Sequence, residues 1–319
     1  MDNIFKSKMN RRELLGRAGK TGASVALAST GLGSLASLAA AQGTKNYDAA
    51  ILTFALNLEY LEAAFYLAAV GRISELTGGD AQVILPAGFD GKTSMMFTND
   101  AVAQYADEIA SDEIAHVNFI RSALEGMNMP VAERPVIDLA GAFAAAANAA
   151  FKTTTPLDPV FDPFANELFF LHGAFIFEDV GVTAYKGASP LLVDKNVVLQ
   201  SAAGILAVEA YHSGQIRTLL YAQKDVMTPY NVKVEAVVQA ISDLRGAAGG
   251  GKDQGLVMNG KANIIPVDSS SVAFSRTPRE VANIAFLDGS GTATKGGFFP
   301  DGLSVPSAYA DDFAFLLSL

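Results

Sequence analysis

The chain has 319 residues, half of them hydrophobic, which is enough material for a sizeable core. It contains no cysteine, which excludes thiolate metal sites, thiol catalysis and disulfides, so any bound metal must rest on imidazole and carboxylate. A net charge of −10 disfavours nucleic acid as a partner, and only His116, His172 and His212 can supply imidazole.

Residues 1–41 read as a processing segment rather than as part of the fold. Met9-Asn10-Arg11-Arg12-Glu13-Leu14-Leu15 places an arginine pair before an apolar dipeptide, and a weakly hydrophobic stretch rich in Ala, Gly, Ser and Thr runs from Ala18 to Ala41. Ala39-Ala40-Ala41 offers a small-x-small cleavage site ahead of Gln42. The stretch is too polar and too broken by glycine for a membrane anchor. It resembles a twin-arginine signal, which implies export of an already folded protein to the periplasm or cell envelope. Residues 1–41 hold six basic and two acidic side chains, leaving 17 basic and 31 acidic residues and a net charge of −14 in the mature chain.

Asp48–Arg72 predicts the first long helix, apolar nearly all round, with Glu59 and Glu62 as its only internal charges. Such a helix is either buried or membranous, and two mid-helix glutamates argue for a buried polar site over lipid. A loop marked by Gly78-Gly79-Asp80 and Pro86-Ala87-Gly88 leads to a second helix at Asn99–Glu125, stopped by Gly126. On this amphipathic helix Asp107, Glu108 and Asp112 read as the solvated side. A long connection, Asn128–Pro163, contains a short Ala-rich helix near Leu139–Phe151. The third long helix is expected at Phe164–Lys186, apolar between Glu167 and Glu178. Ser189-Pro190 reads as the cap and first turn of a fourth, extending to Lys224, in which Glu209 is the sole charge between Lys195 and Arg217.

Two antiparallel helix pairs joined by one long crossover make an all-α four-helix bundle over residues 45–224. The remainder, Asp225–Leu319, is rich in Gly and Ser and thin in apolar content for an independent core. It reads as an extension packed on the bundle, with short helices at Val232–Arg245, Pro278–Phe286 and near the C-terminus. Thr277, Pro278 and Glu280 supply a capping box for the middle one.

The chemistry lies in two Glu-x-x-His motifs, Glu113-Ile114-Ala115-His116 and Glu209-Ala210-Tyr211-His212. Residues three apart share a helix face, so each motif offers a carboxylate and an imidazole to one point. With Glu59 and Glu178 from the first and third helices, they form the ligand set of a dimetal carboxylate bundle. The oxygen-rich coordination suits two iron ions foremost, with manganese or zinc as alternatives. Buried carboxylates are costly unless paired, and no basic residue lies near Glu59, Glu178 or Glu209 in sequence, so cations are the natural partners.

The segments LNLEYLEAAFYL, EIASDEIAHVNFI, FEDVGVTAYKGA and AVEAYHSGQIR, with FSRTPREVANIAF and GGFFPDGL beyond them, resemble the ferritin-like superfamily that includes bacterioferritin and rubrerythrin. More narrowly they resemble the desiccation-associated ferritin-like family of bacteria and plants, over Tyr47 to Leu303. The resemblance implies Glu59 and Glu178 as single-helix ligands, Glu113 and Glu209 as bridging ligands, and His116 and His212 as terminal imidazoles. Tyr66, seven residues after Glu59, supports that assignment, with Glu62 as an alternative or supporting carboxylate. It also implies reaction with peroxide or dioxygen in oxidative or desiccation stress. The alternative is a non-catalytic envelope scaffold or desiccation-protective protein with a structural or unused metal site. A homo-oligomer or an envelope partner fits either, and the mature chain is expected to have no transmembrane span. His172 lies off the ligand face and reads as a core or surface histidine, Tyr66 and Tyr211 as core tyrosines, and the many phenylalanines as core.

Overall fold

The computed structural model describes residues 45–319; the expected twin-arginine signal lies outside the described residues. These residues are mostly helical, with eight α-helices and two short strand pairs. Four helices are long: α1 (Asp48–Ala69), α2 (Asp100–Gly126), α4 (Glu167–Ala188) and α5 (Val198–Ala222). The shorter α3 (Gly141–Ala150) lies between α2 and α4, and α6 (Val234–Ala248), α7 (Pro278–Ala285) and α8 (Ala310–Leu316) follow α5.

The long helices pack as pairs, α1 on α2 and α4 on α5, and the pairs meet through α1 with α4 and α2 with α5. Helix ends fix the directions. Asp48 at the start of α1 is buried, and its carboxylate accepts from the backbone N–H of Val193 and Asp194, at 2.8 and 2.9 Å, just beyond the end of α4. The first and third long helices therefore run antiparallel. Glu167 at the start of α4 accepts from the N–H groups of Thr98 and Asn99, both at 2.8 Å, at the start of α2. Since α2 and α4 begin side by side, the connection between them must travel back along α2, about 40 Å for 27 residues. That return is the stretch containing α3. It is tied to the first interhelix loop by a parallel strand pair, β1 (Val83–Ile84) with β2 (Ile137–Asp138), in register Val83 to Ile137.

Helix α1 is buried on nearly every side because α4 and the C-terminal segment cover what α2 leaves open. Phe65 sits among Phe143, Phe164, Phe170 and Phe177, with ring centroids 5.4–5.6 Å apart. Helices α1 and α4 are long and apolar enough to cross a membrane by composition, but their most apolar windows are 89% and 78% buried within the fold. This is the pattern of core helices.

The segment after α5 packs against the rest through specific contacts. Phe298 meets the rings of Phe143 and Phe177, and buried Asn57 of α1 bonds the backbone of Ser304 in both directions. Arg217, Arg245 and Arg276 are buried with Asp179 and Asp253. Asp179 accepts from Arg217 at 2.7 Å and Arg245 at 2.9 Å, and Asp253 pairs with Arg245 and Arg276. Gly187 is required where the segment crosses α4, since a Cβ there would lie 1.8 Å from the Arg276 carbonyl oxygen. Thr277 and Glu280 form the expected capping box on α7. Strands β3 (Val257–Met258) and β4 (Lys261–Ala262) are joined through Asn259-Gly260, both with positive φ, as a two-residue hairpin turn demands.

Two expected starts are corrected. Ser189-Pro190 opens only a 3-10 turn, Ser189–Leu191, and α5 begins at Val198. The reason is local: Asp48 holds residues 193 and 194, and the Asp194 carboxylate then accepts from the N–H groups of Asn196 and Val197, both at 2.9 Å. The third long helix likewise begins at Glu167, after the Asn166 cap, rather than at Phe164.

Candidate metal centre

Glu113 and His116 face inward from the middle of α2, and Glu209 and His212 do the same from α5. Glu59 enters from α1 and Glu178 from α4. All six are buried, the least so being His116 at 8% exposure. Their ligand atoms gather into two groups, Glu59, Glu113, His116 and Glu209 in one, and Glu113, Glu178 and His212 in the other, each within 4.8 Å. Glu113 is common to both. Its Oε2 lies 3.5 Å from His116 Nδ1 and its Oε1 3.1 Å from His212 Nδ1, so one carboxylate looks toward both groups.

These separations would suit ligands around shared ions. Two donors about 2.1 Å from one ion and about 90° apart stand about 3.0 Å from each other. His116 Nδ1 is 3.1 Å from Glu59 Oε2 and 3.8 Å from Glu209 Oε1; His212 Nδ1 is 3.5 Å from Glu178 Oε2. Both oxygens of Glu113 and Glu209, Oε2 of Glu178 and Nδ1 of His212 are buried without a hydrogen-bond partner. Acceptor atoms that face one another with no donor between them fit a cation at the shared point. Among the described residues no lysine or arginine pairs with Glu59, Glu113, Glu178 or Glu209. The buried arginines are spent on Asp179, Asp253 and backbone carbonyls. The donor set therefore fits two ions of the oxygen- and imidazole-binding class.

The titration behaviour expresses the same need for positive charge. Burial raises the Glu59 carboxyl to about 7 against the pull of His116, and burial also raises Glu62, Glu178 and Glu209. Burial works against charge on Glu113 too, but its contacts with His116 and His212 hold it down to about 2. Burial opposes a charged His116, yet Glu59 and Glu113 raise it to about 11; Glu178 and Glu113 raise His212 further still. Without a metal, protons must fill the place of the ions.

A surrounding layer holds three of the six side chains, Glu59, Glu178 and His212. Tyr66 donates its hydroxyl to Glu178 Oε1, and Tyr185 donates to Glu59 Oε1. Nε2 of His212 lies 3.1 Å from Asp112 Oδ2, leaving Nδ1 for the centre. Such a carboxylate orients a ligating imidazole and raises its basicity. Asp112 is thus no mere solvated acid: its helix face is exposed, but its carboxylate reaches back to α5. Tyr185 and Asp112 escape sequence reading because their partners are more than 90 residues away. Gly181 of α4 leaves the room that Glu209 occupies, since a Cβ there would lie 2.0 Å from Glu209 Oε2. Glu62 is buried beside the centre but outside both ligand groups. His172 is buried, belongs to neither group, and is held neutral, its pKa lowered to about 4 by burial. Tyr211, expected in the core, is 78% exposed: between Glu209 and His212, it points to the opposite side of α5.

Comparison with known proteins agrees with this arrangement. Residues 47–222 match the ferritin-like domain model, a span holding all six residues. The chain is 38% identical to the desiccation-related protein PCC13-62 of Craterostigma plantagineum over 250 residues, covering 72% of this chain and 75% of the relative. It is 27% identical to the ferritin-like catalase Nec2 of Nesocodon mauritianus over 274 residues, covering 82% and 84%. No solved structure gives a significant match. By its matched span, its paired long helices and its buried Glu/His cluster, the chain belongs to the ferritin-like domain family.

Proposed function

We propose that the chain is an exported ferritin-like four-helix protein whose Glu59, Glu113, His116, Glu178, Glu209 and His212 hold two metal ions, iron foremost, and that the pair consumes peroxide. The observation that carries this reading is the convergence of six buried donors with unpartnered lone pairs on two points that share Glu113. A relative named as a ferritin-like catalase supports peroxide as the oxidant, with dioxygen as the alternative.

When bound, the ion pair supplies Lewis acidity and a redox couple, and the overall reaction converts two hydrogen peroxide molecules into two waters and one dioxygen. The chain's own residues set the conditions. Glu113 would hold both ions, since its two oxygens lie toward the two imidazoles separately. Tyr66 and Tyr185 steady the terminal carboxylates Glu178 and Glu59. Asp112 keeps His212 in the tautomer whose Nδ1 is free to ligate. Twin-arginine export suits this role, because a protein folded before export can load its metal in the cytoplasm.

A second reading has its own support. A relative is named as desiccation-related, so the helical body could serve as a protective envelope scaffold with a structural metal site. Peroxide consumption by metal-loaded protein separates the two readings. The catalytic reading expects turnover that Glu113→Ala abolishes, and equal consumption by that variant overturns it.

A further inference from the structure

A cavity lies between α1 and α4 under the C-terminal segment, and the space within its walls together with the open solvent at its mouth comes to about 960 Å³. It follows α1 from Ile51 to Glu62, about 16 Å of helix. Twenty of its 24 wall residues are apolar; the exceptions are Glu59, Glu62, Tyr185 and Arg276. Arg276 is spent on Thr183 and Asp253. The other three lie where the cavity passes the metal centre: Glu59 is one of its donors, Tyr185 bonds Glu59, and Glu62 lies one turn further on. Leu192 and Leu316 line the cavity toward the start of α1. A surface groove bearing exposed Phe119 and Val197 shares the wall residues Leu52, Tyr185 and Ala202 with the cavity, which gives an apolar approach from outside.

Hydrogen peroxide gains nothing from such walls, since its donors and acceptors would go unpaired along most of the length. Dioxygen would need only a fraction of the bore. An apolar slot whose unspent polar groups gather beside the metal centre matches a single aliphatic chain carrying an oxygenated head. We propose that this cavity binds a single-chain aliphatic molecule, its head group at Glu59 and Glu62 and its tail toward Leu316. That the head meets a reactive centre rests on the function proposed above; binding of the chain does not.

The test is a chain-length series of primary n-alcohols, from hexanol to hexadecanol, displacing a neutral polarity-sensitive naphthylamine dye from the full mature chain, metal-free and metal-loaded. Each added methylene should tighten binding about fourfold. A C–C bond of about 1.5 Å advances roughly 1.25 Å along an extended chain, so the gain should stop near about 12 carbons. Ala55→Phe, or Ala184→Leu should the first not fold, narrows the slot and should move that limit to shorter chains. Affinity independent of chain length, or an unmoved limit in a folded variant, overturns the proposal. Chain-length-dependent binding without peroxide consumption upholds the cavity and defeats the function; consumption with no chain-length dependence does the reverse.

Discussion

Gly181→Ala tests the centre from the side of the scaffold. In α4 the added Cβ would sit 2.0 Å from Glu209 Oε2 and 2.9 Å from its carboxyl carbon, while nothing else comes closer than Glu209 Cγ at 3.5 Å. The backbone is not crowded, so the atom that must yield is the end of one buried side chain. Overpacking of this kind costs about 1–3 kcal/mol, and alanine returns about 1 kcal/mol of helix propensity relative to glycine. The metal-free variant should therefore stay folded, with a stability change of at most about 2 kcal/mol. The displaced carboxylate belongs to the group of Glu59, Glu113 and His116, whereas the group of Glu113, Glu178 and His212 lacks it. Metal affinity should fall at the first group by about 5- to 150-fold, the equivalent of 1–3 kcal/mol. Calorimetric titration of metal-free protein reads this directly as two unequal sites. Two sites with wild-type affinities in the variant would refute the placement of Glu209 as a ligand against α4.

Other outcomes follow from the same geometry. Asp112→Asn removes the carboxylate on His212 Nε2 and should weaken metal binding about 10- to 100-fold with little loss of fold, as read by metal titration and circular dichroism. Asp179→Asn leaves buried Arg217 and Arg245 short of a carboxylate. It should cost about 3–5 kcal/mol, roughly 6–10 °C in melting temperature, and an unchanged melting curve would contradict the role given to this network. Metal binding should release protons at pH 7, and affinity should go on climbing above pH 7, because Glu59, raised to about 7, must ionise and His116, raised to about 11, must give up its proton to ligate; calorimetry in buffers of different ionisation enthalpy measures the release, and none would contradict the account. The folding linkage has the opposite slope. Between the ordinary 4.5 and the raised value near 7, folded metal-free protein holds the Glu59 proton and the unfolded chain does not, so this contribution to stability falls as pH rises through that window.

How much of this was legible beforehand depends on the distance between partners. Glu113 with His116, and Glu209 with His212, are set by helical spacing alone, and the structure places each pair on one inward face. Glu59 and Glu178 stood out because a charge within an apolar helix is costly without a partner. Tyr66 was visible by its spacing from Glu59, but the structure gives its hydroxyl to Glu178 on another helix. Asp112, Tyr185 and Gly181 were not legible, because each acts across a helix interface whose register no local periodicity encodes. Asp112 was further disguised by acidic neighbours on an outward face. The late start of α5 shows the same limit: Ser189-Pro190 has the composition of a cap, but Asp48, far away in sequence, holds the residues that follow. The buried arginines Arg217, Arg245 and Arg276 were equally silent, since their partners Asp179 and Asp253 lie in other elements of the chain.

The most direct measurement is metal content by mass spectrometry, on protein from the exported fraction and on the His116→Ala/His212→Ala variant. The account predicts about two iron or manganese ions per wild-type chain, in keeping with the two donor groups, and their loss in the variant. A wild-type protein that stays empty under metal-replete conditions, or a double variant that keeps both ions, would contradict it.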